Sequence, residues 1–441
     1  MTSARGARPK VRCLPQWLTA LAAVALTVPA CSLTRVDAAA PVESASSLSG
    51  IGPITFATGE LDTGSYLPSL LRDWNRTHPG QRVTLVRLPD DSDDQLAQLV
   101  TNLQAGSDAY DVMSLDVVWT AEFASSGWIV PLSGNLFPLG DFLRPAVDTA
   151  MYHGQLWAAP YTSNAELLYY RSDVLKRAGV KPPRTWAQLA GLAKTVAPRY
   201  KLWGYAGQFR AYEGLTVNFD EAVASAGGSI LSPDGSKVTL NSPAARKALG
   251  FLVSGFQQGW IPRAALSFDE QTSQDAFERG KLLFLNNWPY VYGQASKPGP
   301  GNVVAGKFGV EALPGPDGPG SSALGGANLA ISAFSRHPRT ALAFIEYMTS
   351  LPVERQILIH GSLPPVWTSL YQQPSLVRKF PYLPALEKAI LSARPRPAIP
   401  EYNQLSLAIS SSVHRALTLS GPVSTTITQL SKELTEIVRN G

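Results

Sequence analysis

From residue 54 onward the apolar positions fall into short runs of two kinds, separated by Gly, Pro and polar residues. ITFAT (54–58) and RVTLVRL (82–88) are apolar or alternating runs of strand length, whereas 66–77 and 93–104 carry apolar side chains at helical spacing. YDVMSLDVVWTAEFASSGW (110–128) comes next. Tyr110, Val112, Met113 and Leu115 fit a buried strand that Asp116 ends; 117–126 read as a helix, and Gly127 fits the position just past its C-terminus. Asp116 is then either the N-cap of that helix or just before it. The order β-α-β-α-β predicts a parallel sheet with helices on its faces.

The alternation continues to the C-terminus. GQLWAAPYTSNAELLYYRSDVL (154–175) runs from a turn into one long apolar strand. Residues 186–197 read as a helix, 202–208 as a strand, and 213–232 as a helix closed by Gly227 and Gly228. A turn at Asp234 and Gly235 leads to a short strand, and 242–260 form an amphipathic helix. In SQDAFERGKLLFLNNWPYVYG (273–293) a helix runs to Arg279, a strand covers 282–285, and 286–288 make a polar–aromatic edge. Residues 294–307 are a Gly/Pro-rich loop, FGVEALPG and LGGANLAIS are strands, and 339–349 are a helix. The remainder, 352–441, is mainly helical, broken by prolines around 394–400.

Composition narrows the class. The 441 residues are 45% apolar and 16% charged, which suits a globular chain of two or three domains. The net charge of +5 is local: Arg5, Arg8, Lys10 and Arg12 supply four charges in a segment with no acidic residue. Without them 34 basic residues face 33 acidic ones, so the basicity belongs to a leader and nucleic acid is not an expected partner. The apolar run 17–28 is too short to span a bilayer and reads as the core of a signal peptide covering 1–30. VPAC (28–31) resembles a lipobox, which makes Cys31 the lipidated first residue of the mature chain. Cleavage near Ala40 is the alternative. The only other cysteine, Cys13, lies in the leader, so no disulfide forms within the mature chain. Residues 31–52, rich in Ser, Ala, Pro and Gly, suit a flexible tether.

Chemistry enters first at Asp116. In open α/β sheets the carboxyl ends of strands line the crevice where ligands bind. An acidic side chain there, with Trp119 one turn on, pairs a hydrogen-bond acceptor with a flat apolar face, as a sugar requires. The plain alternative is an Asp116 that only caps its helix and a Trp119 in the core. The five histidines are scattered without metal-ligand spacing, and no GxSxG, Walker A or GxGxxG motif occurs.

Five segments in order resemble the extracellular solute-binding proteins (family 1) of sugar ABC transporters: YDVMSLDVVW, LWAAPYTSNAELLYYRSDVL, EGLTVNFDEAVASAGG, AFERGKLLFLNNWP and GGANLAIS. The resemblance covers roughly 54–407. Each segment alone is weakly specific; the five in this order are strong. DVMSLDVVWTAEFASSGW, NNWP and RPAIPEY are also similar to segments of the mycobacterial trehalose-binding lipoproteins, which carry a longer insertion where this chain has only the loop after NNWP.

The resemblance implies an α/β, two-lobed periplasmic-binding-protein fold (type II-like), with parallel-rich sheets, flanking helices and a hinge. Crossings are expected at 161–164, near 306–310 and near 348–352. One lobe is then 53–161 plus 309–349 and the other 165–307 plus 350–441. It further implies a monomeric binding protein without catalysis or cofactor, anchored at the outer face of the cytoplasmic membrane. Its partners are a sugar, the permease subunits of an importer and, through them, an ATPase. Asp116 matches the aspartate that contacts sugar. Asn164 offers an amide to adjacent hydroxyls, or else is a turn asparagine. Trp288 is a stacking platform or a core residue. Arg396, in a proline-stiffened loop, offers a guanidinium fork or a solvated charge. Gly326 and Asn328 let backbone approach the sugar or make a tight turn. Glu213 contacts ligand or opens a helix. Glu60, Asp62 and Trp119 are further candidates. Rival readings are a secreted glycoside hydrolase using Asp116 and Glu213 and a carbohydrate-binding surface adhesin.

Overall fold

The computed structural model describes residues 48–59, 66–418 and 421–441. Cys31, most of the tether, Glu60 and Asp62 lie outside them. The first sheet has a parallel core in the order β2 (Val83–Arg87), β1 (Ile54–Thr58), β3 (Val112–Asp116). Helices Leu67–Thr77 and Ser92–Gln104 connect these strands, as the apolar spacing predicts. The first buries Leu67, Leu70, Leu71 and Trp74, a single stripe at helical spacing. The second is capped by Asp91, whose carboxylate accepts from the backbone N–H groups of Asp93 and Asp94.

Two longer excursions complete this sheet. β11 (Ala323–Ile331) runs antiparallel to both β3 and β6 (Ala159–Ala165), and β12 (Arg394–Pro395) pairs with its first residues. Gly326, at φ +123°, is needed where β11 passes β6: a Cβ there would lie 2.1 Å from the carbonyl oxygen of Thr162. The second sheet runs β10 (Phe308–Glu311), β7 (Leu167–Arg171), β9 (Leu282–Asn287), β8 (Trp203–Ala206). Each sheet carries helices, so the chain forms two α/β lobes; β4 (Met151–Tyr152) and β5 (Gln155–Leu156) add a small hairpin.

Several expectations change. The run 154–175 is not one strand: Glu166 separates β6 from β7, and the two lie in different sheets. The first crossing therefore falls at Glu166, just after 161–164. FGVE pairs antiparallel with β7, Val310 opposite Tyr169, so it stays in the second sheet although residue 309 was expected to open the return to the first. β7 is mostly buried, and without β10 one edge of its backbone would have no hydrogen-bond partner. The return is made by β11 instead.

The helix after Asp116 starts at Thr120, with Trp119 as its N-cap and no side-chain capping bond. Asp116 is the last residue of β3, and its Oδ1 accepts the Val118 N–H at 3.2 Å, closing a local turn. The helix from Glu213 stops at Ser225, and Gly227 takes φ +83°. The strand after Asp234 reduces to one bridge between Leu231 and Val238. Pro289 does not extend β9: at φ −61°, ψ −25° it opens the helix Tyr290–Ala295.

Candidate ligand-binding site

A cleft of about 770 Å³, open solvent at its mouth included, lies where the ends of β3, β6, β9 and β11 meet the helix Glu213–Ser225. Arg396 stands in its wall. Two prolines, Pro395 and Pro397, bracket it and keep its backbone out of helix, and its side chain is only 2% exposed. Nη2 donates to Asp116 Oδ1 at 2.7 Å and Nη1 to Glu213 Oε1 at 2.5 Å. One guanidinium thus joins the end of a strand to the first turn of a helix. Burial works against the charge of Arg396, but Asp116, Tyr402 and Glu213 more than offset it and raise its pKa above the ordinary value.

The two carboxylates differ in what they have left to offer. Glu213 is buried and saturated: Tyr402 Oη also donates to Oε1 at 2.5 Å, and Ser406 Oγ donates to Oε2. Burial raises its pKa, with Arg396 opposing. It forms part of the wall and holds other groups in place. Asp116 is 23% exposed, and both its recorded bonds go to Oδ1, which leaves Oδ2 for a ligand hydroxyl.

Trp288 is half-buried in the same cleft. Its backbone is pinned from both sides, the N–H donating to Asn287 Oδ1 at 2.7 Å and the carbonyl accepting from Tyr169 Oη at 2.9 Å. The indole lies so close to Gly325 that a Cβ there would sit 2.5 Å from the ring. Gly325 is thus the glycine that makes room for the platform. Its register partner Asn164 lines the cleft with a buried Oδ1 that has no hydrogen-bond partner. Gly326 lines it as well.

Asn328 does not. It is 1% exposed, and its Nδ2 donates to Thr120 Oγ1 and Thr149 Oγ1, both at 3.2 Å, so it braces the sheet from inside. Trp119 lines the cleft yet is 4% exposed and stacks on Phe123, so both readings of it apply.

Sequence reasoning missed Gly325, Glu270 and Tyr290. Tyr290 follows Trp288 in NNWPY, and its buried Oη has no hydrogen-bond partner. Glu270 opens the helix Glu270–Glu278 behind the capping Asp269, and its Oε2 accepts from Tyr212 Oη at 2.6 Å. The two walls also touch: Arg210 pairs with Asp91, and Asp93 Oδ1 accepts the Glu213 N–H at 3.3 Å.

Two α/β lobes that meet at a polar and aromatic cleft define a two-lobed binding protein. Residues 57–353 match the family model described as bacterial extracellular solute-binding protein. A protein of Deinococcus radiodurans described as a probable ABC transporter-binding protein is 34% identical over 82% of this chain and 88% of its own length. The chain belongs to the bacterial extracellular solute-binding protein family. A mannitol-binding protein of Pseudomonas aeruginosa is 26% identical over 68% of the chain and 70% of its own length. Among solved structures, maltose-bound T. maritima MalE3 superposes with TM-score 0.83 at 31% identity, covering 87% of this chain and 99% of that one. The GacH receptor of Streptomyces glaucescens, solved unliganded and with acarbose, has TM-score 0.79 at 25% identity, with 89% and 100% covered.

Burial pushes the Glu270 carboxyl from 4.5 up to about 7, although the Tyr212 bond pulls the other way. Between those values the folded chain holds a proton that the unfolded chain has released, so this part of the stability is full below pH 4.5 and is lost as pH rises toward 7. Removing the group should flatten that fall. The Tm of Glu270→Gln should drop less than that of wild type between pH 4.5 and pH 8 in scanning calorimetry; parallel curves would show that Glu270 does not hold the proton.

Proposed function

We propose that this chain is the substrate-binding lipoprotein of an ABC importer. It captures a sugar, a disaccharide such as trehalose, between its lobes and delivers it to the membrane permease and its ATPase. The observation that carries this reading is the cleft's pairing of the half-buried Trp288 ring with the charged fork of Asp116 and Arg396. An aromatic face stacks on the C–H face of a sugar ring, and ionised groups make charge-assisted bonds to its hydroxyls. The maltose-bound neighbour and the mannitol-binding relative support a polyhydroxyl ligand. Trehalose itself rests on the likeness of DVMSLDVVWTAEFASSGW, NNWP and RPAIPEY.

The lobes hinge at the chain crossings: at Glu166, between Glu311 and Ala323, and near 348–352. A ligand that contacts both walls binds the closed form better and shifts the population toward it. Among the described residues no helix is long and apolar enough to cross a membrane; Cys31 supplies the attachment. The hydrolase reading is disfavoured because a single guanidinium immobilises Asp116 and Glu213, and Glu213 is saturated by protein donors. Neither group is left to act as a free acid.

A thermal-shift panel of sugars identifies the ligand, since binding to the folded state alone raises Tm. In calorimetry with that sugar, Trp288→Ala should lose about 1–3 kcal/mol of binding. Asp116→Ala should lose about 1.5–3 kcal/mol, one to two decades in affinity, with folding checked by circular dichroism. Wild-type affinity in both folded variants would refute the site. Cys31→Ala should leave the protein outside the membrane fraction or unprocessed; unchanged lipid labelling of that variant would rule the anchor out.

A further inference from the structure

Two of the chain's passages between the sheets meet at one buried hydroxyl. Glu166 separates β6 from β7, and Ser322 immediately precedes β11 on the way back from the second sheet to the first. The Glu166 backbone N–H donates to Ser322 Oγ at 2.7 Å, and Ser322 Oγ donates to Glu221 Oε1 at 2.8 Å. Glu221 belongs to the helix Glu213–Ser225, whose first residue stands in the cleft wall. Its carboxylate also accepts the Ala323 N–H at 3.1 Å and Asn286 Nδ2 at 3.0 Å. Ser225, the last residue of that helix, adds a second tie, its Oγ accepting the Ser321 N–H at 2.9 Å. The helix that carries Glu213 is thus clamped to both passages.

The clamp is built from two acids without a cation. Glu166 and Glu221 are 1% and 3% exposed, and among the described residues no Lys, Arg or His forms an ion pair with either. Glu221 has three protein donors. Glu166 has one, Asn218 Nδ2 at 3.3 Å, and its Oε1 meets no N–H or hydroxyl. The two carboxyls lie within hydrogen-bond reach of each other, a contact that needs a proton on one of them. Glu166 is the acid of the pair: burial and the neighbouring Glu221 push its pKa well above the ordinary carboxylate value. Glu270 adds to that push, and Tyr169, Tyr205 and Tyr290 are buried phenols held neutral. On the open side Glu166 and Ser322 line a cavity of about 1200 Å³, its mouth included, where Lys181, Arg184, Glu311 and Lys388 are exposed. That cavity gives the proton a route to solvent.

We propose that Glu166 and Glu221 make the hinge proton-operated: one proton shared between the two carboxyls keeps the passages clamped with the cleft walls drawn together, and its loss sets two buried carboxylates against each other and opens the cleft. The proposal rests on the reading of the chain as a sugar-capturing protein that hinges at these passages, and adds a control to it. The closed form holds the proton, and the open form, with its carboxyls apart, binds it less tightly. Closure and sugar affinity are therefore full at acid pH and fall as pH rises through the titration of the pair.

Small-angle scattering of the unliganded protein tests the hinge. From about pH 6 to about pH 9 the radius of gyration of the wild type should rise with its circular dichroism unchanged. Glu166→Gln, whose amide donates to Glu221 and has no proton to lose in this range, should keep the compact value throughout. In calorimetry with trehalose the wild type should bind about tenfold or more weaker at the upper pH, since one linked proton changes affinity by up to about tenfold per pH unit. Glu166→Gln should bind equally at both. A wild-type radius that ignores pH, or a folded Glu166→Gln variant that expands with pH as the wild type does, would overturn the proton-operated hinge and leave the cleft reading standing. If Glu166→Gln does not fold, the wild-type profile decides alone. A pH-dependent opening that Glu166→Gln abolishes, with neither trehalose nor maltose binding at any pH, would keep the hinge and take down the sugar reading instead.

Discussion

The geometry of the cleft depends on one buried cation. Arg396 arrives on a strap that prolines keep out of helix, and its guanidinium bridges Asp116 at the end of β3 and Glu213 at the start of a helix. Taking the charges of Arg396 and Glu213 out of water is expensive, and only close, multiply bonded geometry compensates it. The surrounding residues supply that geometry. Tyr402 and Ser406, from the helix Tyr402–Leu417, complete Glu213, and the backbone N–H of Val118 holds Asp116. Loss of Arg396 would leave Glu213 as an uncompensated buried charge.

This arrangement assigns different work to each wall. Glu213 organises, because its oxygens are taken. Asp116 keeps Oδ2 open, the oxygen the proposed sugar would use. Trp288 supplies the flat face, held by Asn287 and Tyr169 and given room by Gly325. Such preorganisation lowers the ordering cost of binding. Nothing in it activates a nucleophile or frees an acid, which is why the same residues read better as a binding site than as a hydrolytic pair. The contacts of Arg210 with Asp91 and of Asp93 with the Glu213 N–H show the walls already drawn together around the cleft.

Much of this was legible in the chain. Strands with continuous apolar runs, such as 54–58 and 112–116, and helices with a clean apolar stripe, such as 67–77, fall where local periodicity places them. The misreadings came where tertiary pairing decides. Glu166 interrupts an apolar run that looks continuous, because each half pairs in a different sheet. FGVE has the composition of either sheet's strand, and only the free edge of β7 determines its place. At the site, Asp116, Asn164, Glu213, Trp288, Gly326 and Arg396 converge across most of the chain length. Asn328, two residues from Gly326 on the same strand, lies in the core, just past the register shift between Ala327 and Asn328, which a glycine-rich segment does not reveal. Glu270 and Tyr290 carried no motif. Their place in the cleft follows from helix starts whose direction the sequence alone does not fix.

The central claim is that a sugar occupies the cleft with its ring on Trp288 and a hydroxyl on Asp116, while Arg396 remains bonded to both carboxylates. The most direct measurement is a crystal structure of the protein with the sugar that stabilises it most. The account predicts density for an intact sugar stacked on Trp288, with a hydroxyl within hydrogen-bond distance of Asp116 Oδ2 and the Arg396 bridge unbroken. A sugar bound elsewhere, a cleaved product in the cleft, or an Arg396 swung away from Asp116 and Glu213 would contradict it.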